Sequence, residues 1–157
     1  MEKLKALFVK YKEIILYLVF GVLTTAVDFI VYYPISRIAP DSPVVITVAT
    51  VIAWIAAVIF AFFTNKLFVF EDKRWTKDPV LRQAASFLAA RLFTLLLSAL
   101  IAYFGTMLLN NWGWYQSVPL LRDNVNVVVW VVKSVLTLVL NYIFSKLWIF
   151  KKEDKTK

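Results

Sequence analysis

The chain has 157 residues, 61% of them hydrophobic and 17% aromatic, and it carries a net charge of +8 with neither cysteine nor histidine. A soluble domain has an apolar share nearer one half, so this composition excludes a water-soluble domain hiding its apolar residues in one core. The lack of cysteine excludes disulfides and thiolate chemistry and leaves the redox compartment open.

Four long apolar segments follow one another, Ile14 to Pro34, Val44 to Thr64, Ala84 to Leu109 and Val125 to Phe144. Each reaches the roughly 20 residues that span about 30 Å of hydrocarbon. They predict an all-α integral membrane protein, a single domain over 1–157 with transmembrane helices at about 14–34, 44–66, 79–109 and 124–148. A β-barrel would instead show alternating segments of about ten residues.

Ahead of the first helix, Leu4, Leu7, Phe8 and Tyr11 recur at helical spacing among lysines, which suggests an amphipathic lead-in over about 3–13 lying on the inner surface. The first apolar segment is too long for a signal-peptide core, holds Asp28 and is followed by no small-residue cleavage site, so it is expected to stay in the mature protein. The next connection, PISRIAPDSPV, has three prolines and reads as a tight turn. In the second helix Ala49, Ala53, Ala57 and Ala61 form a small-residue stripe that admits a close helix, either internal or from a second copy in a homo-oligomer. Asp78-Pro79 offers an N-cap and a first-turn proline for the third helix. In the loop after that helix, Trp112, Trp114 and Tyr115 suit an interfacial aromatic belt better than a sugar platform.

Fourteen of the eighteen Lys and Arg fall at the N-terminal flank, the middle connection and the C-terminal flank, against Arg37 and Arg122 on the other side. By the positive-inside rule both termini and the middle connection are cytoplasmic. Topology and anionic headgroups thus explain the charge without nucleic acid.

The stretch FFTNKLFVF at 62–70 has a near copy 80 residues on, YIFSKLWIF at 142–150. Lys66 aligns with Lys146, Leu67 with Leu147, Phe70 with Phe150 and Asn65 with Ser145. Each copy ends the second helix of a pair, so the chain reads as two helix pairs in parallel orientation. Parallel repeats of this kind arrange a shared site about an axis along the membrane normal. Each lysine taken singly could snorkel to the inner headgroups. Two at matched places, with Thr64, Asn65, Asn141 and Ser145 nearby, could hold a phosphate by charge-assisted hydrogen bonds.

Asp28, Arg91 and Lys133 lie deeper, where an insertion cost of about 2.5 to 3.5 kcal/mol demands a partner or a wet cavity. Asp28 and Lys133 fall at similar depth and form a candidate ion pair, either structural or a gate. Arg91 lies roughly 9 Å toward the cytoplasm from its helix midpoint at 1.5 Å per residue. Its fork-shaped guanidinium matches a phosphate, although it could also snorkel or bond carbonyls. No paired general acid and base and no Gly-rich phosphate loop is present, so the expectation is a protein that is not an enzyme and needs no cofactor or metal.

Together GVLTTAVDF at 21–29, Arg91, Lys133 and the paired ends TNKLFVF and NYIFSKLWIF resemble the GtrA family of small four-helix membrane proteins, over about Leu16 to Lys151. The family's end motif resembles Asn, three apolar residues, then Asn and a basic residue. The first copy here keeps Asn65 and Lys66 but has Ala61 at the earlier position; the second keeps Asn141 and Lys146 but has Ser145. The resemblance implies a multi-pass protein of the cytoplasmic membrane that flips a polyprenyl-phosphate-linked sugar to the outer leaflet. There a separate glycosyltransferase partner would use it for cell-surface polysaccharide or cell-wall glycosylation. On that reading Lys66, Lys146 and Arg91 dock the headgroup with Asn65 and Asn141, the prenyl tail stays among membrane lipids, and Asp28 releases Lys133 as the phosphate passes. The alternatives are a non-transporting partner of a glycosyltransferase and a small multidrug-type exporter. The exporter usually wants a membrane-embedded glutamate and is least compatible with a cationic interior.

Overall fold

A computed structural model describes residues 2–151, and the side chains of residues 10–113, 115–120 and 123–151. The amphipathic pattern of Leu4, Leu7 and Phe8, the cations Lys3, Lys5 and Arg122, the Trp114 ring and the C-terminal Lys152, Lys155 and Lys157 therefore lie outside the described side chains. The described chain is helical: α1 (Glu2–Ser36), α2 (Pro43–Thr64), α3 (Lys77–Asn111), α4 (Gly113–Ser117), α5 (Pro119–Arg122) and α6 (Val125–Phe144). Two π-helical segments, π1 (Asn65–Val69) and π2 (Ser145–Ile149), extend α2 and α6. Four helical stretches, Lys10–Ser36, Pro43–Val69, Lys77–Asn111 and Val125–Ile149, are long and apolar enough to cross a membrane. Their most apolar windows are only 6–22% buried, so most of these side chains face outward, as contact with lipid requires.

The helix ends follow from local chemistry. Pro34 lies in the last turn of α1, where it removes a backbone donor, and Ser36 Oγ bonds the Tyr33 carbonyl at 2.9 Å. Ser42 caps α2, its Oγ accepting from Val45 N at 3.4 Å with Pro43 at the first helical position. α3 already begins at Lys77, with Val80 N donating to the Thr76 carbonyl, so Asp78 sits within the first turn instead of capping it. Its charge still suits the positive end of the helix.

Within the spans, hydroxyls bond their own helix. Thr24, Thr47, Thr50 and Thr106 each donate to the carbonyl four residues back, at 2.7–2.8 Å. This spares lipid-facing polar atoms an unsatisfied burial.

The chain divides into two compact units, one reaching to Ala84 and the other Ala85–Lys151. In the first, α1 packs against α2, Phe20 stacks on Phe68 at 5.2 Å, and Tyr17 is buried. All four alanines of the stripe are buried, Ala49 and Ala53 completely. In the second unit α3 and α6 meet through Phe93 and Phe144, 5.9 Å apart edge to face. A Cβ added at Gly105 would sit 3.5 Å from Val129, so the two backbones approach closely there. Tyr115 is 4% exposed and joins a small core with Val125, Val129, Ala102 and Leu109. It is thus an anchor of the α3–α6 connection and no part of an exposed belt, because α4 turns the ring inward; Trp112 remains exposed.

Helix association in lipid rests on packing, with no hydrophobic drive between apolar helices. Enlarging the fully buried Ala53 to Leu should therefore cost about 1–3 kcal/mol through overpacking. The neighbouring Val51→Leu, half exposed, should leave thermal unfolding of the detergent-solubilised protein unchanged.

Candidate functional site

Both copies of the repeated motif end in the same local structure, a π turn. At π1, Phe70 N bonds the Asn65 carbonyl at 2.9 Å; at π2, Phe150 N bonds the Ser145 carbonyl at 2.8 Å. The i→i−5 pattern inserts one residue into the turn and reorients the side chains that follow, a device often found at functional sites. Phe70 and Phe150 are buried immediately after each turn.

After π1 the chain reverses. Glu71 has a φ of 49°, a left-handed conformation that costs a side-chain-bearing residue about 1–2 kcal/mol. Asp72 N then reaches back to the Lys66 carbonyl at 2.8 Å. This reversal sets the Asp72 carboxylate over the Lys66 ammonium, 3.4 Å away.

Lys66 is wholly buried. Its Nζ donates to Gln83 Oε1 at 2.6 Å and lies 5.1 Å from the centre of the Trp75 ring, which in turn stacks on Phe63. Gln83 Nε2 donates to Asp72 Oδ2 at 2.6 Å. Arg74 reaches the same carboxylate through Nη2 at 2.7 Å, Nε at 3.0 Å and its backbone N at 2.9 Å. Lys66 is therefore neutralised within the protein instead of facing headgroups. Burial alone would raise the Asp72 carboxyl, but the Arg74 side chain and backbone, Gln83 and the Lys66 charge outweigh it and hold it well below the usual carboxylate range. Beside it Asn65 Nδ2 bonds the Ala61 carbonyl at 2.7 Å. Its buried Oδ1 has no hydrogen-bond partner among the described residues.

In the second unit Arg91 is half-buried, with its guanidinium 4.7 Å from the centre of the buried Phe87 ring. One turn along α3, Thr94 Oγ1 is hydrogen-bonded to Asn141 Oδ1 at 3.0 Å, and both residues are buried. The structure thus ties Asn141 to α3 one turn from Arg91. Lys146 differs from Lys66: it is exposed, bonded to Tyr142 Oη at 3.0 Å and lying over that ring. Where Asp72 answers Lys66, the position 80 residues on holds Lys152.

Asp28 on α1 and Lys133 on α6 are each half-buried. The residues that sequence reasoning missed are Asp72, Arg74 and Gln83, with Trp75, Thr94 and Phe87 in support. A carboxylate six positions after a helix-end lysine was the available signal, but only the π turn and the left-handed Glu71 bring the two together.

Residues 16–150 match the family described as GtrA/DPMS, transmembrane domain. The chain belongs to the GtrA/DPMS transmembrane-domain family. Among its relatives is the cell wall teichoic acid glycosylation protein GtcA of Listeria monocytogenes, 34% identical over 139 residues that cover 88% of this chain and 85% of that protein. The GtcA of Listeria innocua is 30% identical with the same coverage. The uncharacterized membrane protein YwcD of Bacillus subtilis is 30% identical over 87% of this chain and 95% of its own. No solved structure matches the chain. The four apolar helices and the GtrA/DPMS match make this a multi-pass membrane protein.

A carboxyl held below its usual range in the folded state stabilises the protein above the unfolded-state value, 3.8, and that stability is lost as pH falls below it. Thermal stability in detergent should accordingly be flat from neutral pH to about 5 and decline below about 4. Asp72→Asn should lower the neutral plateau, since it leaves Lys66 buried without its counter-ion, and should flatten the acid decline.

Proposed function

We propose that this GtrA-family protein moves a polyprenyl-phosphate-linked sugar from the cytoplasmic to the outer leaflet of the cell membrane, for glycosylation of a cell-wall polymer. The observation that carries the reading is Arg91. Its guanidinium is stacked on Phe87 and forms no hydrogen bond or ion pair among the described residues. A planar fork of five donors held in an apolar helix is suited to bidentate capture of a phosphate. Docking there offsets part of the desolvation that a headgroup suffers on leaving water.

Asn141, fixed by Thr94 one turn away, can add an amide donor. Lys146, exposed on π2, supplies a cation for first attraction. Lys66 belongs to the internally paired cluster of the first unit and Asn65 is buried beside it with its Nδ2 on the Ala61 carbonyl, so both would act on the headgroup only after rearrangement. Asp28 and Lys133 would serve the later passage. The names of the Listeria relatives support the glycosylation role, and the parallel arrangement of two helix pairs with cytoplasmic termini is supported by the matched π turns and the distribution of cations. No bond is made or broken in this scheme; the sugar would be handed to a separate glycosyltransferase on the outer side.

Liposomes of defined lipid containing only this protein and a radiolabelled polyprenyl-phosphate sugar test the proposal. Wild type should flip the lipid, and Arg91→Gln, equally folded, should lose at least about tenfold of the rate, the factor that about 1.4 kcal/mol represents, with Arg91→Lys retaining part of it. Correctly inserted wild type that flips nothing would point instead to a non-transporting partner of the glycosyltransferase.

A further inference from the structure

The Asp72 carboxylate is gripped as a bound anion would be. Five nitrogens from three residues converge on its two oxygens: Arg74 Nε, Nη2 and backbone N, Gln83 Nε2, and Lys66 Nζ at the longer distance of 3.4 Å. A guanidinium fork, an ammonium, a backbone N–H and a carboxamide are the donors with which proteins also bind phosphoryl oxygens.

Asp72 lines an open groove of about 420 Å³ together with Lys12, Glu71, Lys73, Trp75, Phe20 and Phe68, while its carboxylate is turned away onto Lys66, Arg74 and Gln83, which are not part of that lining. That volume is within the range of small-ligand sites, roughly 300–1,000 Å³. Its aromatic lining and its place beside the helix ends suit a group that is part polar and part lipid. Around it four cations, Lys12, Lys66, Lys73 and Arg74, face two carboxylates, Glu71 and Asp72. The cluster keeps an excess of positive charge with Asp72 in place.

We propose that Asp72 occupies an anion seat as an internal surrogate, and that a phosphoryl group entering the groove takes its place on Lys66, Arg74 and Gln83. Lys66 is wholly buried, so a ligand can reach its ammonium only when the carboxylate withdraws. Arg74, whose side chain is 32% exposed, is the most accessible of the three donor residues, since Lys66 and Gln83 are both buried. The left-handed Glu71 is the adjoining hinge; swinging residues 71 and 72 outward relaxes a strained backbone and gives up a solvent-exposed bond to Lys12 and the backbone bond from Asp72 N to the Lys66 carbonyl. The ligand chemistry rests on the phosphate-headgroup reading above, while the seat depends on neither Arg91 nor transport.

Two probes separate a lipid headgroup from a free anion. The full chain in phosphatidylcholine nanodiscs is titrated with phosphatidic acid, read by native mass spectrometry, and separately with inorganic phosphate, read by phosphorus NMR. Asp72→Asn removes the competing charge and should bind about tenfold tighter, whereas Asp41→Asn, an equal loss of charge at an exposed position of the α1–α2 connection outside the groove, should change affinity less than about twofold. Arg74→Gln, at a half-exposed position, should weaken binding and keeps the test decisive if Asp72→Asn does not fold. A gain with phosphatidic acid alone assigns the seat to a lipid phosphate, and a gain with inorganic phosphate assigns it to a free one. The seat is refuted if Asp72→Asn gains with neither probe, if Asp41→Asn gains as much, or if Arg74→Gln loses nothing. Arg91-dependent flipping together with such a refutation would leave the transport reading standing; intact seat binding without flipping would do the reverse.

Discussion

In the hydrocarbon of a bilayer a polar group without a partner costs several kcal/mol, and the features of this protein that matter for function are departures from that demand or answers to it. The threonines answer it within their own helices. The π turns answer it by bonding five residues back, which keeps the backbone closed while shifting the side chains that follow. Lys66 answers it most completely, with a carboxylate, a carboxamide and an indole face around one ammonium. Against this background Arg91 stands out, because an aromatic face stabilises its charge while its directional donors have no hydrogen-bond or ion-pair partner among the described residues.

The two motif copies differ in chemistry while sharing a backbone path. Each ends in a π turn closed by a phenylalanine N–H, so the shared pattern of apolar residues and the single helix-end lysine specify the same local path twice. Beyond that turn the copies separate. The first continues into Glu71-Asp72 and folds back on its own lysine, whereas the second continues into lysines and leaves Lys146 on the surface beside Tyr142. One cation thus becomes part of an internal electrostatic cluster, and the other stays exposed beside Tyr142. The division has a physical basis: an exposed cation is screened by its surroundings, whereas a buried one must be paired to offset its desolvation.

Asp72 illustrates why buried ion pairs are ambiguous as sources of stability. The Coulombic gain from Lys66 and Arg74 is set against the desolvation of all three groups. The same convergence of donors that fixes the loop is chemically an anion site, so structural and functional roles need not be alternatives.

The sequence by itself determined the environment and the plan: four apolar runs of membrane-spanning length, the asymmetry of cations, and a motif repeated at an offset of 80. It also singled out Arg91, because a lone guanidinium in an apolar run is expensive wherever the helix lies. These are one-dimensional properties, governed by composition, length and local spacing. Which cations are already satisfied was decided only in three dimensions. Lys66 and Lys146 are equivalent along the chain, yet one is wholly buried and the other exposed. The difference arises after a π turn that both copies share, from the left-handed Glu71 that folds Asp72 back onto Lys66, and from Gln83, seventeen residues away, which completes the cluster. Tyr115 likewise reads as an interfacial ring by type and position, but a short helix turns it into the core. Pairing of this kind depends on the direction in which side chains leave a bent backbone, and hydropathy and residue spacing do not encode that direction.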